Sequence, residues 1–227
     1  MKPSELLTIF RLETDDLAEP PLWSNEEFYR YLNEAQDVFV REIGGIADRR
    51  SAITKITYKT GDQFKKFDER ILRIKGAFDE LNNVLTLRNL DNFDTPYKDS
   101  DYGTRSNAGL DDGRTGPVRY LITDVGVDEM QLYPLPDHDG YIRLFVYRRP
   151  LEEINIEGEG TLELASQYHL DLLDWVKYKA FLKQDVEAFD GTKASEFRAM
   201  FTGSIAKAKR EKSAREDRKR TVAYGGI

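Results

Sequence analysis

Two histidines are the first residues to test for chemistry, because histidine changes charge near neutral pH. His138 lies between Asp137 and Asp139 in the run PDHDG, and His169 follows Tyr168 with Asp171 and Asp174 close behind. A metal or acid–base role would need further ligands or a nucleophile beside either one, and the sequence places none. His138 is therefore expected in a turn, and His169 half-buried or on a helix surface. Asp99, Asp101, Asp111 and Asp112 invite a calcium reading. Leu110 stands at the twelfth position from Asp99, where an EF-hand loop needs Glu. Glu152, Glu153, Glu157, Glu159 and Glu163, interleaved with Gly158 and Gly160, read as a solvated linker. The phosphate-binding loop, the dinucleotide fingerprint, HExxH and GxSxG do not occur. There is no cysteine, which excludes disulfides, thiolate metal sites and cysteine nucleophiles. The expectation is no catalytic residue, no cofactor and no metal site, in a protein that is not an enzyme.

Charge is the stronger signal. The 227 residues carry a formal net charge of −7. Residues 205–220 hold Lys207, Lys209, Arg210, Lys212, Arg215, Arg218, Lys219 and Arg220 against three acids, a net +5, so the remainder is at −12. A basic segment on an acidic chain suits either an acidic partner or the solvated C-terminal end of a helix, where cations are favoured. Nucleic-acid binding by this segment is an alternative, weakened by the absence of aromatic residues among its bases. No apolar run approaches the ~18 residues of a membrane span, and the first residues, MKPSELLTIFRLETDD, lack an apolar signal core.

The elements that would position these residues follow from periodicity. Lys2 to Glu13 predicts a short amphipathic helix with Pro3 at its first position and Leu6, Leu7 and Phe10 on its apolar side. Ser24 to Ile43 predicts a second helix. Ser24 and Glu27 form a capping box, Trp23 and Phe28 occupy the positions of a hydrophobic staple, and Phe28, Tyr31, Leu32, Ala35, Val38, Phe39 and Ile43 make one stripe ended by Gly44-Gly45. Ile53 to Tyr58, Arg70 to Phe78, Asn83 to Arg88 and Pro117 to Thr123 predict strands. Glu129 to Pro150 alternates with period two on both sides of Asp139-Gly140 and predicts a β-hairpin, with Pro134 and Pro136 limiting its first arm. Asp91 to Gly116 reads as a projecting surface loop. Leu162 to Gln184 and Thr192 to about Asp217 predict two further helices, and Thr221 to Tyr224 is strand-like.

Together these predict an α+β fold: a helical bundle from both chain ends, an inserted antiparallel β-region and an extended C-terminal arm. The boundaries fall at 1–50, 51–155, 156–206 and 207–227.

The runs KPSELL and LWSNEEFYRYLNEAQ at the start resemble the N-terminus of head-to-tail adaptor (connector) proteins of tailed bacteriophages. LYPLPDHDGYIRLFVYRRPL at Leu132 to Leu151 and YHLDLLDWV at Tyr168 to Val176, followed by KAFLKQD, are similar to the same family in order and spacing. The resemblance implies a structural virion protein of the phage neck, made in the host cytoplasm. It implies a homo-oligomeric ring, commonly twelvefold, that joins the portal protein to a downstream neck or tail protein and extends the DNA channel. Genomic DNA would pass without specific binding, since an acidic lumen repels phosphate. Carried over, Lys207, Lys209, Arg210, Lys212, Arg215, Arg218, Lys219, Arg220, Thr221, Val222, Ala223 and Tyr224 form the portal-binding arm, the last four adding to a sheet edge. Tyr141, Arg143, Phe145 and Tyr147 present aromatic rings and arginine, types enriched at interfaces, toward a neighbouring subunit. A tail tube component of a short-tailed phage is the viral alternative.

Overall fold

The computed structural model describes residues 1–89, 113–184 and 188–217, with Glu216 and Asp217 described by backbone alone. The chain divides into two compact units, Met1–Ile46 with Arg149 onward and Ala47–Arg148. The loop expected from Asp91 to Gly116 lies outside the described residues for all but its last four positions, and the strand expected at Thr221 to Tyr224 lies wholly outside them.

The first unit holds four helices, α1 (Pro3–Glu13), α2 (Asn25–Glu42), α3 (Leu172–Phe181) and α4 (Gly191–Asp217). α2 starts as its sequence dictates. The Ser24 Oγ accepts from the Glu27 N–H at 3.1 Å, and the Glu27 carboxylate accepts from the Ser24 N–H at 2.9 Å. Two donors left over by the first helical turn are thereby satisfied. The Phe10 ring of α1 lies 5.5 Å from Trp23 and 5.3 Å from Phe28, so the two staple residues meet a third ring from another helix. α2 ends where Gly44 and Gly45 take positive φ angles of 80° and 90°. The α2 stripe packs with Phe10, Leu172, Val176, Phe201 and Ile205 in one core shared by both chain ends. Each such side chain, fully buried, is worth roughly 1.5–3 kcal/mol. That exceeds the ~0–1 kcal/mol of an exposed ion pair, so the core rather than the surface charge stabilises this unit.

α3 is shorter than its periodicity predicts. Residues 162–165 are not helical and Ser166–Tyr168 make only a 3-10 turn. Their polar groups are engaged elsewhere: the Glu163 N–H donates to Gln36 Oε1 at 2.8 Å, and the Glu163 carboxylate accepts from Leu151 and Glu152 N–H. Leu164 supplies a buried apolar side chain without being helical.

The second unit is built on strands β1 (Ile46–Asp48), β2 (Lys55–Tyr58), β3 (Phe64–Lys66), β4 (Ile71–Phe78), β5 (Val84–Asn89), β6 (Thr115–Gly116), β7 (Tyr120–Gly126), β8 (Glu129–Tyr133), β9 (Leu135–Pro136) and β10 (Gly140–Arg148). Among the described residues, eight strands form one sheet in the order β1-β10-β4-β5-β7-β8-β3, with β2 also on β10. Two expectations are corrected here. β8 and β10 are not the arms of a hairpin. β8 pairs with β7 and β3, whereas β10 pairs with β2 and β4. Pro134, which lacks the N–H group a ladder needs, follows the end of β8, and β9, which includes Pro136, pairs with β6 instead. The β-region is also not purely antiparallel, since β5 pairs with β7 in parallel and β6 with β9 likewise. The alternation along β10 is as read. Ile142, Leu144 and Val146 point into the core with Leu85, Leu121, Met130 and Leu132.

Candidate functional site

The other side of β10 is the most distinctive surface of the second unit. Tyr141, Phe145 and Tyr147 alternate along it, and cations from neighbouring strands lie over their rings. Lys55 Nζ of β2 is 4.2 Å from the Tyr141 centroid, Arg73 of β4 is 4.8 Å from Tyr147, and Lys75 is 5.3 Å from both Phe145 and Tyr147. Arg143 of β10 itself stands 5.5 Å from Tyr141, and Arg49 lies 5.5 Å from Phe78. The register brings them together: Arg143 is opposite both Lys55 and Phe78, and Tyr147 is opposite Arg73. Lys75 Nζ also donates to the Tyr147 hydroxyl at 3.1 Å. A ring face attracts a cation without neutralising it, so these five exposed side chains keep their charge available. Among the described residues none of the five has a carboxylate within ion-pair distance. Tyr147 itself is only 3% exposed. It supports the cations from below rather than projecting to a partner as the sequence suggested.

The basic C-terminal segment is not uniform either. α4 packs through Ala194, Phe201, Ile205 and Ala208, and from Lys209 to Arg215 its side chains are half-buried or exposed. Lys212 nevertheless reaches back to the end of α2, where its Nζ donates to the Ile43 and Gly45 carbonyls at 2.8 Å and 3.1 Å. Lys209 pairs with Glu42 at 2.7 Å. Lys207, Arg210 and Arg215 are exposed. Arg218, Lys219, Arg220, Thr221, Val222, Ala223 and Tyr224 lie outside the described residues.

A surface of the other charge belongs to the first unit. A groove of about 650 Å³ runs between α2 and residues 149–156. Its carboxylates Glu26, Glu34, Asp37, Glu152 and Glu153 outnumber Arg30 and Arg149. The Asn33 side chain holds its wall as a peptide would, donating to the Ile154 carbonyl at 2.8 Å and accepting from its N–H at 2.9 Å.

The residues first considered for chemistry have other roles. His169 is buried, with Nε2 2.8 Å from the Leu164 carbonyl and Nδ1 3.1 Å from the Met1 amino group. His138 is exposed beside Asp137 at 2.6 Å and Glu80 at 3.8 Å, and the Asp137 hydrogen bond raises its pKa. Among the described residues no group of three or more His, Asp or Glu is arranged to hold a metal ion. The four aspartates of the calcium reading lie outside the described residues. Asp48 is pushed up by burial but pulled further down by the Arg50 N–H and the Arg148 guanidinium, the latter at 2.5 Å, so it stays ionised as a structural pair.

A family model described as SU10 adaptor protein matches residues 1–224. The chain belongs to the SU10 adaptor protein family. No curated protein matches it. The match agrees with the resemblance to phage head-to-tail adaptors. Such a family is structural rather than enzymatic, implies binding to other neck or tail proteins, and implies a place in the virion neck.

Proposed function

We propose that copies of this adaptor assemble as a ring, twelvefold, between the portal and the next neck or tail protein, and that the ring extends the DNA channel. The basic end of α4 and the residues after it dock on the portal. Family membership across nearly the whole chain supports the reading, and one structural observation carries the portal contact. α4 continues as helix through Asp217, although among the described side chains its last buried one is Ala208. A helix that outruns its own core presents its charges to something else. Lys207, Arg210, Arg215 and residues 218–224 are the docking group, whereas Lys209 and Lys212 serve the first unit. The cationic sheet face, with Tyr141, Arg143 and Phe145, turns toward the neighbouring subunit. DNA passes without specific contact, because a net charge of −7 disfavours phosphate binding.

Removing residues 218–227 tests this. The shortened protein is expected to keep its circular dichroism spectrum and melting temperature but to lose co-sedimentation with portal-bearing capsids. Undiminished co-sedimentation would end the arm's role.

A further inference from the structure

Two surfaces of this chain carry charge that the described residues leave unanswered. One is the sheet face of Lys55, Arg73, Lys75 and Arg143. The other is the segment 152–159, anchored by buried Ile154, where the exposed Glu152, Glu153, Glu157 and Glu159 have no cation within ion-pair distance among the described residues. Ile156 in that segment is 60% exposed, an apolar side chain set among carboxylates. We propose that the cationic sheet face of one copy receives the Glu152–Glu159 segment of a second copy.

The occupant follows from chemistry. The face selects an anion, since its four cations are held over rings instead of carboxylates. A nucleic acid would gain from bare rings on which to stack bases. Tyr147 is buried and every ring of the face already lies under a cation. Carboxylates need no such platform, and a matching carboxylate row with an apolar residue inside it exists on the same polypeptide. Two different patches that recognise each other make a heterologous contact, the kind that closes into a ring when its rotation permits. The inference thus rests on the ring reading and names the surfaces that would meet.

Charge exchange tests it in the full-length protein. One variant carries Lys55→Glu, Lys75→Glu and Arg143→Glu; the other carries Glu152→Lys, Glu153→Lys and Glu157→Lys. Circular dichroism and thermal melting check that each is folded. Association is measured by sedimentation velocity with chemical cross-linking at low salt, and wild-type binding to portal is measured separately. Each variant alone is expected to associate at least tenfold more weakly than wild type. Their equimolar mixture is expected to recover association, because each then offers the charge the other lacks. Association of either variant at the wild-type level, or no recovery on mixing, overturns the contact even where wild type still binds portal. Loss of portal binding by wild type instead removes the function reading while recovery on mixing would still uphold the contact. Binding of a duplex DNA fragment by wild type that disappears in the first variant, with association unchanged, would assign the face to nucleic acid.

Discussion

Single side chains decide where this protein responds to pH and to substitution. Burial raises the Asp174 carboxyl to about 6; Lys177 opposes the shift, and Asp171 and Glu13 add to it. A folded-state pKa above the unfolded one means that ionisation costs stability, a cost absent at low pH and complete above the folded pKa. Asp174→Asn removes the ionisable group. It is expected to melt higher than wild type at about pH 8, with the gap closing below about pH 4. The same melting temperature difference at both pH values would refute the assignment. Gly158 makes a sharper case. Its φ is +77°, and a Cβ there would lie 2.3 Å from the Tyr29 hydroxyl oxygen. Gly158→Ala should lose roughly 1–2 kcal/mol from the left-handed backbone alone. In a Tyr29→Phe background the loss should be smaller, and thermal melts of the four proteins in the cycle would show it. At this scale the sequence was read well where chemistry was local. His138 does sit in a turn, whereas His169, expected half-buried or on a helix surface, is buried ahead of α3 in a structural role. The link from His169 to the Met1 amino group joins residues 168 positions apart, which no spacing reveals.

Elements show the same division. The start of α2 was legible because a capping box is contained within four residues, and its stripe because a helix repeats its own period. The early part of the predicted third helix failed because Glu163 answers to Gln36, Leu151 and Glu152. The hairpin failed for a related reason. Alternation identifies a strand and the face it buries, but not its neighbour, and β8 and β10 each pair elsewhere. The cationic face was invisible for want of any contiguous signal: Lys55, Arg73, Lys75 and Arg143 come from three strands and meet only through register. The reading of residues 205–220 as one basic arm is likewise refined by contact. Lys212 closes the carbonyl end of α2, so Lys212→Met should cost about 1–2 kcal/mol, as for a lost charge-assisted hydrogen bond. Lys209→Met removes only an exposed pair with Glu42 and should cost less than about 1 kcal/mol. Urea titration of both separates them; equal losses would mean that the clamp adds nothing.

At the scale of the whole molecule, charge and topology set the terms. An acidic chain that carries one cationic sheet face and one basic helix end is suited to selective contact with protein at low cost in attraction to DNA. The prediction for removal of residues 218–227 belongs here, because it separates folding of the two units from joining to portal. Topology adds a constraint of another kind. β5 and β7 run in the same direction, so the chain that leaves at Asn89 must travel back along the sheet before entering at Tyr120. A tight turn cannot make that return, for which a crossover of roughly a dozen residues or more is the minimum. Residues 90–119 are therefore not an ornament that could be trimmed to a two-residue loop. They set a floor on the gene: a version with fewer than about a dozen residues between Asn89 and Tyr120 could not keep β5 and β7 parallel, and so could not keep the order of the sheet.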